Sequence, residues 1–346
     1  MPQVASVPDI RPTCSLTQRI VQVHPTLRCN LYCRHCYSSS GPRVQQQLEL
    51  DAVCQALSDA SEMGYQVMAV SGGEPLMYEH LLEMLIHAKS CGMTTAITTN
   101  GTLLQPDVLQ ELEPHLDLMA ISVDGPPDVH NTMRQSSKAF DNLLLGIEMV
   151  KATSIRFGLI STVTTVSWEH LLWLAEFASA QGAGLLQLHP LEDTGRARGA
   201  LGTLAPDSEV LAKVYLLVLA LAKKYGDTLA FQFDVFHRDY IRKNPDLVYA
   251  TELDSIPADM PPASLLSLLV LQADGSVVPM SYGFSKKYEI CNIYRQRLIE
   301  SWNEYCQSGY RDFRQLCKHV FSEATIPAEL PFFNWYELIV NRSHSL

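Results

Sequence analysis

The segment Cys29-Asn30-Leu31-Tyr32-Cys33-Arg34-His35-Cys36 determines the architecture of this chain, because it places three cysteines in the spacing C-x3-C-x2-C soon after the apolar run 20–23. Thiolates are the soft ligands that iron–sulfur clusters require, and three on one short loop can bind three corners of a cuboidal 4Fe-4S cluster. A cluster bound only by protein would need a fourth thiolate. The spacing therefore predicts a cluster with one iron open to a small molecule. A zinc site is the alternative, although structural zinc takes four ligands in paired spacings.

With the residues around it, this loop resembles the signature of the radical S-adenosylmethionine (SAM) enzymes, in the form Cys-Asn-Leu-x-Cys-x-His-Cys-Tyr that is common in the branch that modifies peptides and proteins. The resemblance implies a 4Fe-4S cluster on Cys29, Cys33 and Cys36, with Tyr32 and His35 beside the cofactors. It implies further that the open iron chelates the amino and carboxyl groups of SAM. An electron, from a donor such as flavodoxin or ferredoxin, would then cleave SAM to a 5′-deoxyadenosyl radical.

From residue 20 onward, short apolar runs alternate with helical patterns, which indicates parallel β/α units. Six such units predict an α/β fold, a partial (β/α)6 TIM-like barrel with its chemistry at the carboxyl ends of the strands. We expect an N-terminal arm at residues 1–18, the barrel at 19–226 and a small α+β cap with a β-hairpin at 227–346. Predicted strands lie near residues 20–24, 66–71, 94–99, 118–123, 155–163 and 185–189. Predicted helices run from the cap Asp51 to Gly64 and near residues 78–90, 106–113, 138–152, 168–181 and 206–225.

Motifs at the predicted strand ends also resemble segments of this family. Ser71-Gly72-Gly73-Glu74-Pro75 resembles the GGEP motif, whose backbone and acidic side chain receive the amino group of SAM. Glycines let a backbone approach a ligand closely, and a carboxylate pairs with an ammonium group. The resemblance places the other cofactor-binding residues later in the chain, at Thr99, Asn100, Ser122, Asp124, Arg134 and Gln187.

Some of these residues also have simpler interpretations. Thr99 and Asn100 suit a plain strand-to-helix turn, and Arg134 suits the protein surface. His189 alternates with Gln187 onto one face of its strand, so both can face a cavity, and we consider His189 as a catalytic residue. A histidine at a strand end is nevertheless more often a structural hydrogen-bonding group.

The predicted hairpin has its turn at Asp274-Gly275 and resembles the start of the auxiliary-cluster cap, called SPASM or twitch, of many peptide-modifying relatives. Met280 stands where that cap has its first cluster ligand, and the cysteine run expected near the end is reduced to Cys317. We therefore expect a degenerate cap that lacks the auxiliary-cluster cysteines and holds no iron. Cys291 is a candidate hydrogen-atom donor to a substrate radical, and its alternative role is that of a small buried hydrophobe.

Composition argues against several classes of function. A net charge of −11 argues against general nucleic-acid binding, which needs dense lysine and arginine. No apolar segment is long enough to span a bilayer, and the N-terminus lacks the apolar core of a signal peptide. Nine cysteines, three of them in a cluster loop that must stay reduced, fit a reducing compartment. We therefore expect a cytoplasmic protein that binds neither nucleic acid nor a membrane.

The resemblance implies a radical SAM enzyme that abstracts a hydrogen atom from a ribosomally synthesised precursor peptide, leading to a crosslink, an epimerised residue or excision of a backbone fragment. Because only residues 1–18 precede the first predicted strand, we expect a separate small protein to recognise the leader of that peptide. Two alternatives stay open: radical SAM tailoring of a small molecule or tetrapyrrole, and a catalytically silent binding paralogue. The intact cysteine loop and Gly72-Gly73-Glu74-Pro75 argue against the silent paralogue.

Overall fold

A computed structural model describes residues 19–198, 202–249 and 260–345 of the chain. The predicted N-terminal arm, residues 1–18, lies outside the described residues. The strands are β1 Ile20–Val23, β2 Val67–Val70, β3 Thr94–Thr99, β4 Leu118–Ser122, β5 Arg156–Val163, β6 Leu185–Pro190, β7 Ala230–Phe233, β8 Phe236–His237, β9 Leu268–Leu271, β10 Ser276–Pro279, β11 Cys291–Asn292 and β12 Phe332–Phe333. The α-helices are α1 Leu50–Glu62, α2 Leu81–Ser90, α3 Pro106–Leu112, α4 Pro127–Arg134, α5 Ala139–Lys151, α6 Leu171–Gln181, α7 Ser208–Tyr225, α8 Arg238–Lys243, α9 Pro262–Leu265, α10 Leu298–Gln307, α11 Gly309–Ala324 and α12 Trp335–Ser343. None of these helices is both long and apolar enough to cross a membrane.

Strands β1 to β7 lie side by side in chain order, and every neighbouring pair is parallel. The six predicted strands are confirmed as β1 to β6, each with bounds within one residue of the expected ones. Helices connect them, so the α/β fold with a partial barrel is confirmed. A seventh parallel strand, β7, follows α7 and was not predicted, although Phe231, Gln232, Phe233 and Asp234 alternate apolar and polar residues as a strand does.

The C-terminal segment extends the opposite edge of the same sheet. Strand β9 pairs in parallel with β1, with Leu268 opposite Ile20, and β10 pairs antiparallel with β9 to form the predicted hairpin. Strand β11 completes the order β11-β10-β9-β1. The pairing of β1 with β9 was not predicted, since strands so far apart in the chain leave no local pattern. The division into barrel and cap therefore crosses one continuous sheet, and its boundary at residue 226 stays a prediction.

The two faces of the sheet have different neighbours. Aligned residues on neighbouring strands point to the same side. Val23, Val70 and Ile97 are aligned across β1 to β3 and are buried in the core that the helices share with the sheet. We call the opposite side the inner face, and it carries Ser122 and Gln187 on β4 and β6. The carboxyl ends of the inner face are the place where a partial barrel positions its chemistry.

Helix α1 leads away from the cysteine loop and differs slightly from expectation. It begins at Leu50 with Glu49 at the N-cap position, so Asp51 lies in the first turn and not at the cap. A carboxylate in the first turn still complements the positive end of the helix dipole. Gly64, at a φ of 93°, follows the helix end as predicted, because glycine adopts this left-handed conformation without strain.

The C-terminal helices are attached to the barrel through α1. The carboxylate of Asp59 on α1 is fully buried and accepts hydrogen bonds from Arg297 Nη2 at 2.5 Å and from the backbone of Ile299 at 3.3 Å. The aromatic side chains Trp302 and Phe313 of α10 and α11 are buried in the same core. Packing of apolar side chains thus holds the C-terminal helices against the sheet.

Candidate active site

The three cysteines lie on the loop between β1 and α1, at the carboxyl end of the parallel strands. We call residues 29–36 the cluster loop. Cys29 and Cys33 are buried, Cys36 is half-buried, and the three pack around Leu31. A polar group lies within hydrogen-bond distance of each sulfur. The pairs are Asn100 Nδ2 with Cys29 Sγ at 4.0 Å, Arg134 Nη1 with Cys33 Sγ at 3.8 Å and Ser38 Oγ with Cys36 Sγ at 3.5 Å.

This set of donors fits an iron–sulfur cluster. Burial raises the pKa of Cys29 to about 12, and it also raises the pKa of Cys33 although Arg134 opposes that increase. Buried thiolates therefore need positive charge close by, which a bound metal centre supplies together with Arg134. Hydrogen bonds to the sulfur atoms are also among the contacts by which proteins set cluster potentials.

Among the residues that the structure describes, no three histidine, cysteine, aspartate or glutamate side chains converge as ligands of a single metal ion. A cuboidal cluster makes a different demand, because each thiolate binds a different iron atom. His35, next to Cys36, has its Nδ1 atom buried without a hydrogen-bond partner in the described part of the chain. Buried polar atoms are normally hydrogen-bonded, so this nitrogen is available to a group bound at the cluster loop.

The turn after β2 is fitted directly against the start of the cluster loop. The backbone nitrogen of Gly73 donates to the carbonyl of Thr26 at 2.7 Å, and that of Glu74 donates to the carbonyl of Arg28 at 2.9 Å. A Cβ atom on Gly73 would lie 2.1 Å from the Arg28 carbonyl oxygen, and Gly72 has a φ of 111°. Only glycine fits these two positions, so the glycine turn and the cluster loop form one rigid unit.

Glu74 connects this turn to the end of β3. Its carboxylate is buried and accepts hydrogen bonds from Thr99 Oγ1 at 2.7 Å, from the backbone of Asn100 at 2.9 Å and from the backbone of Leu76 at 3.2 Å. Pro75 occupies the first position of the 3-10 turn that follows. A carboxylate has about four acceptor positions, so one is left after these three donors. That position is where the predicted contact with the amino group of SAM would have to form.

Asp124 and Arg134 form a buried ion pair beneath the cluster loop. Arg134 Nε lies 2.7 Å from Asp124 Oδ2 and Nη2 lies 3.2 Å from Oδ1, which is a two-pronged contact. His35 Nε2 and His130 Nδ1 lie 3.6 Å and 3.7 Å from the same carboxylate. Burial alone would raise the pKa of Asp124, but Arg134, with the two histidines, lowers it well below its usual range. Arg134 is thus committed to Asp124 and Cys33 and is not the surface residue that its sequence also allowed.

Ser122 and Gln187 both lie on the inner face. Both are aligned with Ile160 of β5, so they flank it in one row across β4 to β6. His189 lies two residues beyond Gln187 on the same face, aligned with Thr162. These side chains lie at the carboxyl ends of the strands, as the cluster loop does.

Cys291 lies on the other side of the sheet. It is aligned with Val277, which is aligned with Leu271 and through it with Val23 of the helix-covered face. The thiol is buried with a hydrogen bond to Ser301, and burial raises its pKa to about 12. The structure therefore does not bring Cys291 to the inner face, because a shift of one residue in register decides the side to which a strand residue points. Its role as a hydrogen-atom donor has no geometric support.

Arg196 belongs to a segment, Gly195-Arg196-Ala197, that also resembles the family, but the sequence alone predicts no role for it. It follows β6, and its Nε donates to the carbonyl of Cys33 at 2.8 Å while Nη2 donates to the carbonyl of Ser40 at 2.7 Å. Its guanidinium lies 3.7 Å above the ring centre of Tyr32. The preceding Gly195 packs closely against the backbone of Tyr37, because a Cβ atom on Gly195 would lie 2.2 Å from the carbonyl oxygen of Tyr37. This segment, which follows β6, fixes the backbone of the cluster loop, which follows β1.

Replacing Arg196 by alanine is expected to loosen the cluster loop without unfolding the barrel. Two hydrogen bonds from a charged group are lost, each worth about 1.5–3 kcal/mol. Hydrogen exchange of the backbone amides in residues 33–41 should therefore become at least ~10-fold faster than in the wild type. Arg198→Ala is the matched control, since Arg198 is exposed two residues later. Equal exchange rates in all three proteins would contradict the role assigned to Arg196.

An aromatic group that was also not predicted lies beside the cluster loop. The rings of His24 and Tyr282 are 4.6 Å apart, those of Tyr37 and Tyr282 are 5.4 Å apart, and Tyr37 Oη lies 2.8 Å from Ser71 Oγ. Burial lowers the pKa of His24 to about 3, so its ring is neutral. Next to this group is a cavity of about 470 Å³, within the usual size of ligand sites. The residues that line it include Tyr37, Thr194, Tyr282 and His344.

Comparison with known proteins gives a family match for part of the chain. Residues 23–178 match the family model described as the Radical SAM superfamily. AdoMet-dependent heme synthase of Methanosarcina barkeri is 29% identical over 181 residues, which cover 51% of this chain and 52% of the relative. Mycofactocin maturase MftC of Mycolicibacterium smegmatis is 27% identical over 216 residues, covering 61% of this chain and 53% of the relative. The chain thus spans about half the length of the curated relatives it matches.

Solved structures extend the likeness to nearly the whole chain. Native anSMEcpe with bound AdoMet and Cp18Cys peptide has a TM-score of 0.65 at 17% identity, and the match covers 94% of this chain and 95% of that chain. At this level of identity the match shows a shared fold.

Proposed function

We propose that this chain, a radical SAM enzyme with its radical SAM domain at residues 23–178, abstracts a hydrogen atom from a ribosomally synthesised precursor peptide. Its cofactors are a 4Fe-4S cluster and SAM, which together supply a 5′-deoxyadenosyl radical when bound. Whether the peptide gains a crosslink or an epimerised residue, or loses a backbone fragment, depends on which C–H bond the inner face presents to that radical.

Residues at the strand ends would hold these cofactors. Cys29, Cys33 and Cys36 would bind the cluster, and the glycine turn at residues 72–73, packed against the backbone of residues 24–28, would lie beside SAM. The acceptor position that remains on Glu74 would receive the ammonium group of SAM. Arg134, held by Asp124, would stabilise the thiolate of Cys33 and not a substrate carboxylate. Ser122 and Gln187 would contact SAM from the inner face.

The observation that carries the peptide assignment is the chemistry of the inner face. Its residues nearest the carboxyl ends of β4 to β7 are Ser122, Ile160, Thr162, Gln187, His189 and Gln232. Hydroxyl and amide groups both donate and accept hydrogen bonds, as the amides of a peptide backbone require. The carboxylates of a tetrapyrrole would instead call for arginine or lysine, and neither is among these six residues.

Further partners follow from this assignment. A peptide enzyme needs a way to recognise the leader of its substrate, and we propose a separate small recognition protein for that task. The reduction of the cluster needs a one-electron donor, for which flavodoxin or ferredoxin is suited. Retention of the precursor on the enzyme should therefore increase when the recognition protein is added, and tight binding by the enzyme alone would count against that partner.

Activity with two matched substrate classes tests the proposal. The reconstituted enzyme, SAM and dithionite are incubated with the peptide encoded by a short reading frame beside the gene, and separately with iron coproporphyrin III. We expect an altered peptide together with 5′-deoxyadenosine, and no conversion of the porphyrin. A crosslink or an excised fragment changes the mass of the peptide, and an epimerised residue is detected by chiral amino-acid analysis. The Cys29/Cys33/Cys36 triple alanine variant controls for dependence on the cluster. Conversion of the porphyrin with an unchanged peptide would replace the peptide assignment by the tetrapyrrole one, a class to which the relative named heme synthase belongs.

A further inference from the structure

A histidine–aspartate pair lies at the carboxyl ends of β6 and β7, separate from the cluster loop. His189 Nδ1 donates a hydrogen bond to Asp234 Oδ2, and the carboxylate of Asp234 is buried. Gln232 Nε2 donates to the other oxygen of Asp234 at 3.1 Å, and the backbone of Asp234 donates to the carbonyl of Leu188 at 3.1 Å. Asp234 is therefore fixed by its neighbours, and it fixes the orientation of the imidazole ring of His189.

The second nitrogen of His189 is free to bind a ligand. The side chain is 42% exposed, and no residue in the described part of the chain accepts a hydrogen bond from Nε2. Burial opposes a charged imidazole, but Asp234 and Glu192 outweigh it and raise the pKa of His189 above its usual value. A raised pKa extends the pH range in which the ring is protonated, and in that form Nε2 presents an N–H group on the inner face.

A carboxylate lies beside this donor. Glu192 follows β6, is half-buried and accepts one hydrogen bond, from Asn334 Nδ2 at 3.3 Å. Burial raises the pKa of Glu192 to about 7, with the nearby carboxylates Glu337 and Asp234 acting in the same direction. Two or more acceptor positions of Glu192 are left without a donor among the described residues. The site therefore offers a hydrogen-bond donor and an acceptor close together.

We propose that His189, held by Asp234, and Glu192 form a subsite that binds one peptide bond of the substrate, His189 Nε2 donating to its carbonyl oxygen and Glu192 accepting from its N–H. A donor next to an acceptor matches the two polar groups of a peptide backbone. A carboxylate ligand fits less well, because Asp234 and Glu192 already carry negative charge here. This inference rests on the proposed function and deepens it, because a subsite for one peptide bond binds the backbone of the substrate and not its side chains.

Kinetics of three variants test the subsite, with the peptide from the substrate comparison above as the probe. His189→Leu removes the donor and should raise KM roughly 10- to 100-fold, as expected for a hydrogen bond from a charged group, while kcat changes less. His189→Gln keeps an N–H donor that does not titrate, and should restore most of the lost affinity. His319→Leu, an exposed histidine on α11, is the matched control and should leave KM unchanged.

The pH profile distinguishes a binding role from a structural one. His189 has a raised pKa, so its contribution is present at low pH and is lost as the pH rises through that pKa. The groups that face it are Asp234 and Glu192, and the pKa of Glu192 is raised to about 7, chiefly by burial. Loss of the proton from His189 should increase KM of the wild type toward alkaline pH, and this increase should be absent in His189→Gln, in which only Glu192 still titrates.

A readout without substrate keeps this inference separate from the proposed function. Titration of the labelled histidine rings by NMR should show that the pKa of His189 falls below the usual value of about 6.5 in Asp234→Asn. An unchanged His189 pKa in that variant, or an unchanged KM in His189→Leu with a peptide that the wild type converts, overturns the subsite alone. If no peptide is converted by the wild type, the proposed function fails and the subsite fails with it.

Discussion

Replacing Cys36 by alanine is expected to lower the rate of 5′-deoxyadenosine formation by more than roughly 100-fold. Loss of a residue that only hydrogen-bonds to a metal ligand costs roughly 10- to 100-fold, and Cys36 would itself be a ligand. Its thiol is one of only three that the cluster loop provides, and its sulfur lies 3.5 Å from Ser38 Oγ. A cluster that loses one of three protein ligands has two irons open to solvent and is released or degraded. The rate is measured by chromatography after anaerobic reconstitution and reduction with dithionite.

The matched control for this variant is Cys54→Ala. Cys54 is half-buried like Cys36 but lies on α1, and its raised pKa comes chiefly from burial. Its removal should leave 5′-deoxyadenosine formation within about twofold of the wild type, because surface and half-buried substitutions away from a site have small effects. Similar losses in both variants would mean that the assay reports general damage to the fold.

Replacing Arg134 by leucine is expected to lower the free energy of unfolding by ~3–5 kcal/mol, the usual cost of removing one partner of a buried ion pair. The carboxylate of Asp124, which is 1% exposed, would remain in the core with only His35 and His130 beside it. The change is measured from urea denaturation midpoints of the two proteins. The double variant Arg134→Leu/Asp124→Leu is the control, since removing both charges should recover most of the lost stability.

The pH dependence of this loss has a definite sign. In the wild type, Arg134 lowers the pKa of Asp124, so the pair stabilises the fold above the unfolded pKa near 3.9 and that contribution is lost as the pH falls through the lower folded value. In the Arg134→Leu variant burial dominates and raises the pKa of Asp124. His35 and His130 also gain protons more easily without the arginine. The stability deficit should therefore shrink between about pH 8 and about pH 5, and a deficit that grows toward acid would contradict the buried pair.

The regular part of the fold was predictable because its signals are local. A buried strand such as β2 is a short apolar run, and glycines such as Gly64 mark the ends of helices. Alternation alone also predicts that Gln187 and His189 point to the same side of β6. Strand β7 was not predicted, and for the predicted strand β9 the parallel pairing with β1 was not foreseen, since no local pattern identifies so distant a partner.

The candidate site was predictable only as a set of residues. The cysteine spacing and the glycine turn predict where the cofactors lie, but not that Gly73 is pressed against Arg28 or that Arg134 is bound to Asp124. Such contacts depend on how distant segments meet in space. The clearest case is the contact between Arg196, which follows β6, and Cys33, which follows β1.

Cys291 illustrates the limit of reasoning from residue type. A thiol in the C-terminal segment was a reasonable hydrogen-atom donor by resemblance, but the register of β10 and β11 turns it toward the helices. A histidine at a strand end was expected more often to be structural. His189 does pair with Asp234 through Nδ1, and its other nitrogen has no partner among the described residues. In both cases the register and the neighbours decided what the residue can do.

The most direct test of a single SAM-binding cluster is the iron and acid-labile sulfide content per chain after anaerobic reconstitution. It is measured for the wild type and for the Cys29/Cys33/Cys36 triple alanine variant. We predict about four irons and about four sulfides per chain in the wild type and neither in the variant. About four irons remaining in the variant would contradict this account, because a second cluster would then have to be held by the C-terminal cysteines Cys291, Cys306 and Cys317.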